Sequence, residues 1–262
     1  MELNLKNRTA LICGATKGIG KAIAESMCAE GVKVILLSRN NQHLKQLGDN
    51  LDKRFKVDIK TIAVDTGNSN ELRKKVTEFM ESFGEIQILI NNSGGPEPGI
   101  IFDETPEKFE KYFRQHLLAN QILTQLLLPG MKKSGYGRII NIISTSVKQP
   151  IKGLGVSNSI RHAVAAWAKT LSMEIQHPNI TVNNILPGAT STERLMQIIK
   201  DKAERLKIQE SKVTEEMLSE IPMGRFANPE EIASLASFLA STQAAYINGA
   251  SIPVDGGRTM SV

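Results

Sequence analysis

Seven short apolar runs, rich in valine and isoleucine, alternate along the chain with longer segments of helical periodicity. Within these runs the apolar residues are consecutive, which is typical of strands covered by helices on both faces. The segments between the runs are long enough to hold crossover helices. The sequence therefore predicts an α/β fold with a doubly wound, seven-stranded parallel sheet, whose strands are TALIC, KVILLS, KTIAVD, IQILINNS, GRIINIIS, ITVNNILP and ASIPVDGG.

The 262 residues are expected to form a single domain, residues 1–262, long enough to bury a sizeable core. One stretch, from Thr190 to Met223, departs from the alternation because it is a long polar helical segment between the sixth and seventh strands. Ligands of open α/β sheets lie beyond the carboxyl ends of the strands. The insertion at about 190–223 is therefore expected to be a lid over a substrate or, alternatively, a solvated helical pair or subunit contact.

Charge, hydropathy and cysteine content exclude several classes of protein. The formal net charge is +5, but Lys and Arg are mixed with Asp and Glu without a basic stripe, so nucleic-acid binding is not expected. No segment approaches the roughly 18 apolar residues of a membrane span, and no apolar signal sequence begins the chain, so a cytoplasmic protein is expected. Cys13 and Cys28 lie in apolar surroundings, which favours buried thiols over a disulfide. No metal site is expected.

A glycine-rich turn, in CGATKGIGKAIAESMCAEG, follows the first strand and opens the first helix. Glycines allow a tight turn and a close approach of the backbone to a pyrophosphate, while the helix N–H groups and dipole favour an anion. Steric demands alone can also place glycines in a turn, but this position between strand and helix favours a dinucleotide site in a Rossmann-type domain. The predicted cofactor contacts here are Gly14, Thr16, Lys17, Gly18, Ile19 and Gly20.

The end of the second strand, LLSRN, indicates which dinucleotide is bound. An NAD site usually offers Asp or Glu to the ribose hydroxyls at this position, whereas this chain has Arg39. A guanidinium binds a 2′-phosphate through paired hydrogen bonds, and a carboxylate would repel it. Arg39 together with Lys17 therefore predicts NADP(H) as the cofactor, although either cation alone could be an ordinary surface residue.

Four further segments, VDTGN, NNSGG, NNILPGATST and GRFANPEEIASLASFLASTQAAYINGASIPVDGG, have counterparts in a known family. With them the chain resembles the short-chain dehydrogenase/reductase family over nearly its whole length, and most closely its 3-oxoacyl-[acyl-carrier-protein] reductases. The resemblance implies that Asp65 contacts the adenine and that Thr192 lies near the nicotinamide amide. It also implies cofactor contacts at Asn91, Ser93, Gly94, Pro187, Gly188 and Thr190.

Members of this family usually act through an Asn, a Ser, a Tyr and a Lys, the last two spaced Tyr-x-x-x-Lys on one helix. A helix is predicted here from the periodicity of GLGVSNSIRHAVAAWAKTLSMEI. Ser144 of NIISTS is retained, and the usual family distance from that serine leads to Ser157 in place of the Tyr and Arg161 in place of the Lys. His116, in RQHLLANQILTQLLLP, aligns with the Asn. The implied catalytic residues are Ser144, Ser157, Arg161 and His116, and three of the four differ from the family pattern.

These replacements change what the site can do. An aliphatic hydroxyl is a far weaker acid than a phenol, so Ser157 does not replace the tyrosine as a proton donor. Arg161 stays charged and can anchor ribose hydroxyls, but it does not release a proton at ordinary pH. His116 titrates near neutrality when unperturbed, which makes it the candidate proton donor through a water, or alternatively a satisfied polar residue at a helix or subunit interface.

The sequence thus predicts an NADP(H)-dependent oxidoreductase that reduces a carbonyl, with a 3-oxoacyl-type compound as the substrate implied by the resemblance. Ser144 would polarise the carbonyl oxygen and Arg161 would hold the cofactor. A catalytically silent NADP-binding sensor, or a subunit of a hetero-oligomer, is the alternative, and a dehydration or isomerisation on the same scaffold is a third. The resemblance also implies a homotetramer or homodimer.

Overall fold

All seven predicted strands are present in the computed structural model, which describes residues 2–261, and they form one parallel sheet. The strand order is β3-β2-β1-β4-β5-β6-β7, so the order reverses between β1 and β4, where doubly wound sheets open a crevice for ligands. The predicted fold class is therefore confirmed. The strands are β1 Thr9–Cys13, β2 Lys33–Ser38, β3 Ile59–Ala63, β4 Ile88–Asn91, β5 Gly137–Ile142, β6 Ile180–Pro187 and β7 Ser251–Val254.

Helices cover both faces of this sheet. One buried cluster joins side chains of α1, α2 and α9 to the sheet, and a second joins those of α3, α5 and α6 to the opposite face. Burying a large aliphatic side chain contributes about 1.5–3 kcal/mol, so strands that are apolar on both faces are stable only in this sandwich. The helices are α1 Gly18–Ala29, α2 Asn41–Phe55, α3 Ser69–Phe83, α4 Pro106–Phe113, α5 Ala119–Lys133, α6 Gly155–Glu174, α7 Glu193–Leu206, α8 Glu210–Ser219 and α9 Pro229–Ala240.

Both cysteines are buried and free. Burial raises the pKa of the Cys13 thiol and of the Cys28 thiol to about 12, which keeps both protonated near neutral pH. They behave as small core residues, and the expectation that both thiols are buried is confirmed.

A row of polar side chains crosses four neighbouring strands inside the sheet. The Asn91 amide donates to Asn141 Oδ1 at 2.8 Å, Asn141 donates to Asn184 Oδ1 at 2.9 Å, and Asn184 donates to Ser251 Oγ at 3.0 Å. The strand register sets these residues side by side, so each amide finds a partner on the next strand. Hydrogen bonding offsets the cost of burying these groups, which explains how polar residues are accommodated within apolar strands.

The stretch between β6 and β7 forms the helical pair α7 and α8. Its helices have a small apolar cluster of their own, separate from those on the sheet and built from Leu195, Ile199, Ala203 and Val213. Because α7 begins soon after the carboxyl end of β6, its first turn lies where the sheet edge opens. No helix within residues 2–261 combines the length and apolar character required to cross a bilayer. In the same range, no group of three or more His, Cys, Asp or Glu side chains is arranged to hold a metal ion.

Candidate functional site

The glycine turn between β1 and α1 packs so tightly that a side chain is excluded at Gly14 and at Gly20. Gly14 has a φ of +58°, and a Cβ there would lie 2.8 Å from Asn92 Nδ2. A Cβ on Gly20 would lie 2.2 Å from the Gly14 carbonyl oxygen. Asn92 holds the turn from the other side, since its amide donates to the Cys13 carbonyl at 3.2 Å. The spacing of these glycines thus brings the start of α1 against the end of the first strand.

The N-terminus of α1 is well suited to an anion. Lys17 is the N-cap residue and its side chain makes no capping hydrogen bond, whereas the side chains of Asn40 and Asn68 cap α2 and α3. The first N–H groups of a helix have no partner within the helix, and together with the helix dipole they attract negative charge. An uncapped helix start beside a glycine-rich turn fits the pyrophosphate of a dinucleotide.

Two cations flank this turn. Arg39 is exposed just after β2, and Lys17 forms an ion pair of 3.2 Å with Glu193 at the start of α7. Both partners of that pair are about three-quarters exposed, and such surface pairs contribute about 0–1 kcal/mol, so a phosphate can compete for Lys17. The hydroxyls of Thr16 and Ser38 lie 3.2 Å apart and join the glycine turn to the end of β2, which keeps the two cations on adjacent loops.

The other cofactor residues implied by the resemblance lie at the same edge of the sheet. Asp65 is exposed after β3 and accepts a hydrogen bond from Gly67 N at 2.8 Å. After β6, Pro187 and Gly188 continue beside β7, where Gly188 N donates to Val254 O at 2.9 Å. Thr190 is buried, and Thr192 caps α7 by accepting from Leu195 N at 3.3 Å.

The side chain of Asn91, the last residue of β4, lies inside the sheet. It is 3% exposed and its amide is bonded to Asn141, so this side chain stabilises the strands. A cofactor contact at Asn91 stays a prediction that only its backbone could satisfy in this arrangement. Its neighbour Asn92 supports the site instead, through the bond to the Cys13 carbonyl.

His116 lies in a π-helical turn, Arg114–Leu118, between α4 and α5. Such wide turns are uncommon and reposition individual side chains within a helix. The ring is 4% exposed and faces the loop that follows β4: Nδ1 lies 2.8 Å from Ser93 Oγ, and Nε2 lies 3.2 Å from Gly94 O. Since a carbonyl only accepts, Nε2 carries the proton that it donates to Gly94 O, and Nδ1 accepts from the Ser93 hydroxyl.

The protonation state of His116 follows from this burial. Desolvation, reinforced by the positive charge of Arg161, lowers the pKa of His116 to about 3. At neutral pH the ring is neutral, and its single N–H donates to a carbonyl. This environment favours a role in positioning Ser93 and does not favour the proton-donor role that the unperturbed pKa suggests.

The buried neutral His116 predicts a specific loss of stability in mild acid. Its pKa is about 3 when folded and near 6.5 when unfolded, so only the unfolded chain takes up the proton between these values. The stability present above pH 6.5 therefore decreases as the pH falls toward 3, by about 2 kcal/mol from this residue between pH 7 and 5. Urea unfolding at both pH values should show a smaller loss for His116→Gln than for the unchanged protein.

The control for this measurement is His43→Gln, because His43 is exposed on α2. It should retain the full difference between pH 7 and pH 5. An equal loss of stability in the His116→Gln protein would contradict the assignment of that loss to His116.

Arg161 lies on α6, one helical turn after Ser157, and is 9% exposed. Its Nη1 donates to the Ile142 carbonyl at 2.8 Å, and its Nη2 lies 3.5 Å from the point where a Gly95 Cβ would be. The guanidinium thus bridges the end of β5 and the loop after β4. Burial, together with the nearby charge of Arg194, lowers its pKa to about 10, so it stays protonated at neutral pH.

The two candidate serines lie at the same edge. Ser144 follows β5 and its Oγ accepts from Ser146 N at 3.1 Å, while Ser157 lies in the first turn of α6. Both are half-buried. No hydrogen bond joins these two serines among the residues that the structure describes.

Three residues of this region were not identified from the sequence. Arg194, in the first turn of α7, donates to the carbonyl of Pro96 in the loop after β4. Tyr112 of α4 donates to Glu97 Oε2 at 3.0 Å, and burial raises the pKa of Tyr112 to about 12. The sequence contains one indication of the role of Arg194. A cation in the first turn of a helix is disfavoured by the helix dipole, so its presence there indicates a stabilising contact outside the helix.

Known proteins match this chain over nearly its whole length. Residues 14–259 match the family model described as Enoyl-(Acyl carrier protein) reductase. NADPH-dependent reductase BacG of Bacillus subtilis is 30% identical over 259 residues, covering 98% of this chain and 100% of that protein. The 3-oxoacyl-[acyl-carrier-protein] reductase FabG of Vibrio cholerae is 30% identical over 258 residues, with coverage of 98% and 100%.

A solved structure shares the fold in full. L-sorbose reductase of Gluconobacter frateurii, solved with NADPH and L-sorbose, superposes with a TM-score of 0.94 at 31% identity, covering 100% of each chain. The arrangement of strands and helices described above is therefore that of a known group of reductases.

Proposed function

The chain belongs to the short-chain dehydrogenase/reductase family, and from this we propose that it is an NADPH-dependent oxidoreductase that reduces a carbonyl group. BacG is described as NADPH-dependent, and the L-sorbose reductase structure holds NADPH. Arg39 and Lys17 beside the glycine turn support the same cofactor here.

The strongest support is that one sheet edge holds both an uncapped helix start and a buried cation. The N-terminus of α1 accounts for the pyrophosphate, and the Arg161 guanidinium lies between the ends of β4 and β5. A hydride transfer to a carbonyl needs a bound dinucleotide and positive charge at the developing oxyanion. These two features supply both requirements.

NADPH, when bound, supplies the hydride that reduces the carbonyl carbon. Ser144 donates a hydrogen bond to the carbonyl oxygen, and Arg161 stabilises the negative charge that develops on it. The oxygen then takes a proton from water that enters beside Ser157, since a serine occupies less space than the tyrosine of other family members. His116 and Ser93 hold the loop after β4 in place against Arg161.

We assign the helical pair α7 and α8 the role of a lid. Its first turn contacts both sides of the cofactor cleft, because Glu193 pairs with Lys17 and Arg194 donates to Pro96 O. The contacts are few and partly exposed, which suits a segment that opens for a substrate. A 3-oxoacyl compound remains the candidate substrate, since FabG of Vibrio cholerae is named for that activity.

Cofactor choice gives a first test. Arg39→Ala and Lys17→Ala should each weaken NADPH binding about 10-fold, because each removes a charged hydrogen bond to the 2′-phosphate, while NADH binding should be unchanged. Fluorescence titration of NADPH and NADH measures both. Lys45→Ala, an exposed lysine on α2, is the control. Tighter binding of NADH than of NADPH by the unchanged protein would overturn the assignment of the cofactor.

A second candidate function is a silent NADP-binding sensor or a subunit of a hetero-oligomer. Two features favour it. Ser157 lies where other family members have a tyrosine, and the neutral His116 donates its single N–H to the Gly94 carbonyl. Following NADPH oxidation with a panel of oxo acids, 3-oxoacyl thioesters and small ketones distinguishes the two. Saturable binding of NADPH without oxidation by any of them would favour the silent protein. Assembly into a homodimer or homotetramer stays a prediction, which light scattering of the purified protein would test.

A further inference from the structure

Arg161 differs from the other deeply buried arginine of the structure in how its charge is accommodated. Arg138 is 1% exposed and donates to the carbonyls of Gly137, Asn179 and Ser241. Arg161 has a single hydrogen bond, to Ile142 O, among the residues that the structure describes. It also forms none of the ion pairs found in residues 2–261. A buried charge without a partner is costly, so this cation is expected to have one when the site is filled.

A second cation lies close by. Arg194 is half-buried at the start of α7, where the helix dipole disfavours positive charge. Its bond to the Pro96 carbonyl leaves its charge without a carboxylate, and its field reaches Arg161, whose pKa it lowers. The neighbouring Glu97 accepts a hydrogen bond from Tyr112 and forms no ion pair with either arginine in the part of the chain described. Two arginines therefore lie against the same loop after β4, at Gly95 and Pro96, and neither has a carboxylate partner among the described residues.

The cofactor does not remove this excess charge. The phosphates of the cofactor are expected to bind at the α1 N-terminus, Lys17 and Arg39. The ribose hydroxyls expected near Arg161 are neutral. Ser157 cannot become an anion at neutral pH as an acidified phenol can. We therefore expect the compensating negative charge to come from the substrate.

We propose that the carbonyl substrate carries a free carboxylate near the carbonyl, as in a 2-oxo or 3-oxo acid, and that this carboxylate is bound by Arg194, within the field of Arg161, whose guanidinium stays directed to the reacting oxygen. The inference rests on the proposed reductase function and specifies its substrate class. A planar guanidinium binds a carboxylate through paired hydrogen bonds, and an anion between two arginines also removes their mutual repulsion. An ester or thioester of the same acid offers neither benefit.

The test compares each acid with its methyl ester. With NADPH, acetoacetate and phenylpyruvate should be reduced with a kcat/KM about 10- to 100-fold above that of their methyl esters. Arg194→Gln should lower kcat/KM for the acids by a similar factor, mainly through KM, and bring the acid-to-ester ratio toward one. Arg205→Gln, an exposed arginine at the other end of α7, should leave the ratio unchanged.

A binding measurement separates this inference from the reductase function itself. Isothermal titration of 3-hydroxybutyrate and its methyl ester into the protein–NADPH complex should give saturable binding of the acid, lost in Arg194→Gln, and weaker binding of the ester. If no compound is reduced but the acid binds and Arg194→Gln abolishes that binding, the result supports the carboxylate site and contradicts the reductase function. Equal kcat/KM for acid and ester, equal binding of the two, or an acid preference that survives Arg194→Gln would overturn the inference.

Discussion

Replacing Arg161 with methionine is expected to lower the rate of carbonyl reduction about 10²- to 10³-fold while making the cofactor-free protein more stable. The rate falls because the proposed mechanism places the guanidinium at the developing oxyanion, and loss of one such preorganised donor has effects of this size. Stability rises by about 1–2 kcal/mol because an apolar side chain of similar length replaces a buried cation that lacks a counter-ion. Urea unfolding without NADPH and initial rates with NADPH measure the two effects.

Arg138→Met is the matched control for the stability effect. Its guanidinium is also buried, but it is bonded to three carbonyl groups and stacks on Tyr136 at 4.3 Å. Removing it leaves these buried acceptors unpaired, so this variant should be destabilised by about 3 kcal/mol or more. If Arg161→Met were destabilised to the same extent, Arg161 would be a structural residue, and its proposed role toward the oxyanion would be wrong.

The contrast between these two arginines shows what the sequence could and could not specify. The seven strands were predictable because continuous valine and isoleucine runs require cover on both faces. The glycine turn was predictable because it has glycines at the positions where a Cβ atom would collide with the neighbouring backbone. Nothing local to Arg138 or Arg161 indicates which of them is fully hydrogen-bonded. Their partners, such as Ser241 and Ile142, are supplied by the packing of distant elements.

The candidate site depends on the same kind of long-range contact. The helical period correctly places Ser157 and Arg161 on one helix, a turn apart. The hydrogen bond between Ser93 and His116, however, requires the loop after β4 to pack against a π-helical turn. No periodicity in the sequence predicts that turn. The low pKa of His116 follows from that burial, which no local sequence feature indicates. Likewise Arg194 reaches Pro96 across the cleft from a segment whose sequence indicated only a polar helix.

The largest gain in activity is expected from restoring the family's usual pair, in the double variant Ser157→Tyr with Arg161→Lys. A phenol beside a lysine ammonium has its pKa lowered toward working pH and can protonate the oxygen as the hydride arrives. General acid catalysis contributes about 10²–10⁴-fold, so kcat for ketone reduction should rise by at least the lower figure. The ammonium also keeps positive charge in the cleft when the guanidinium is removed.

The matched control is Ser157→Phe with Arg161→Lys, which adds the same ring without the hydroxyl. Comparing kcat of the two double variants, each shown to be folded by circular dichroism and to bind NADPH, isolates the effect of the phenolic proton. The Phe variant should gain no rate, since its ring displaces water from beside the reacting oxygen and offers no proton in return. A Tyr variant that binds NADPH yet is no faster than the Phe variant would mean that position 157 does not face the reacting carbonyl, and the placement of the catalytic site on α6 would have to be abandoned.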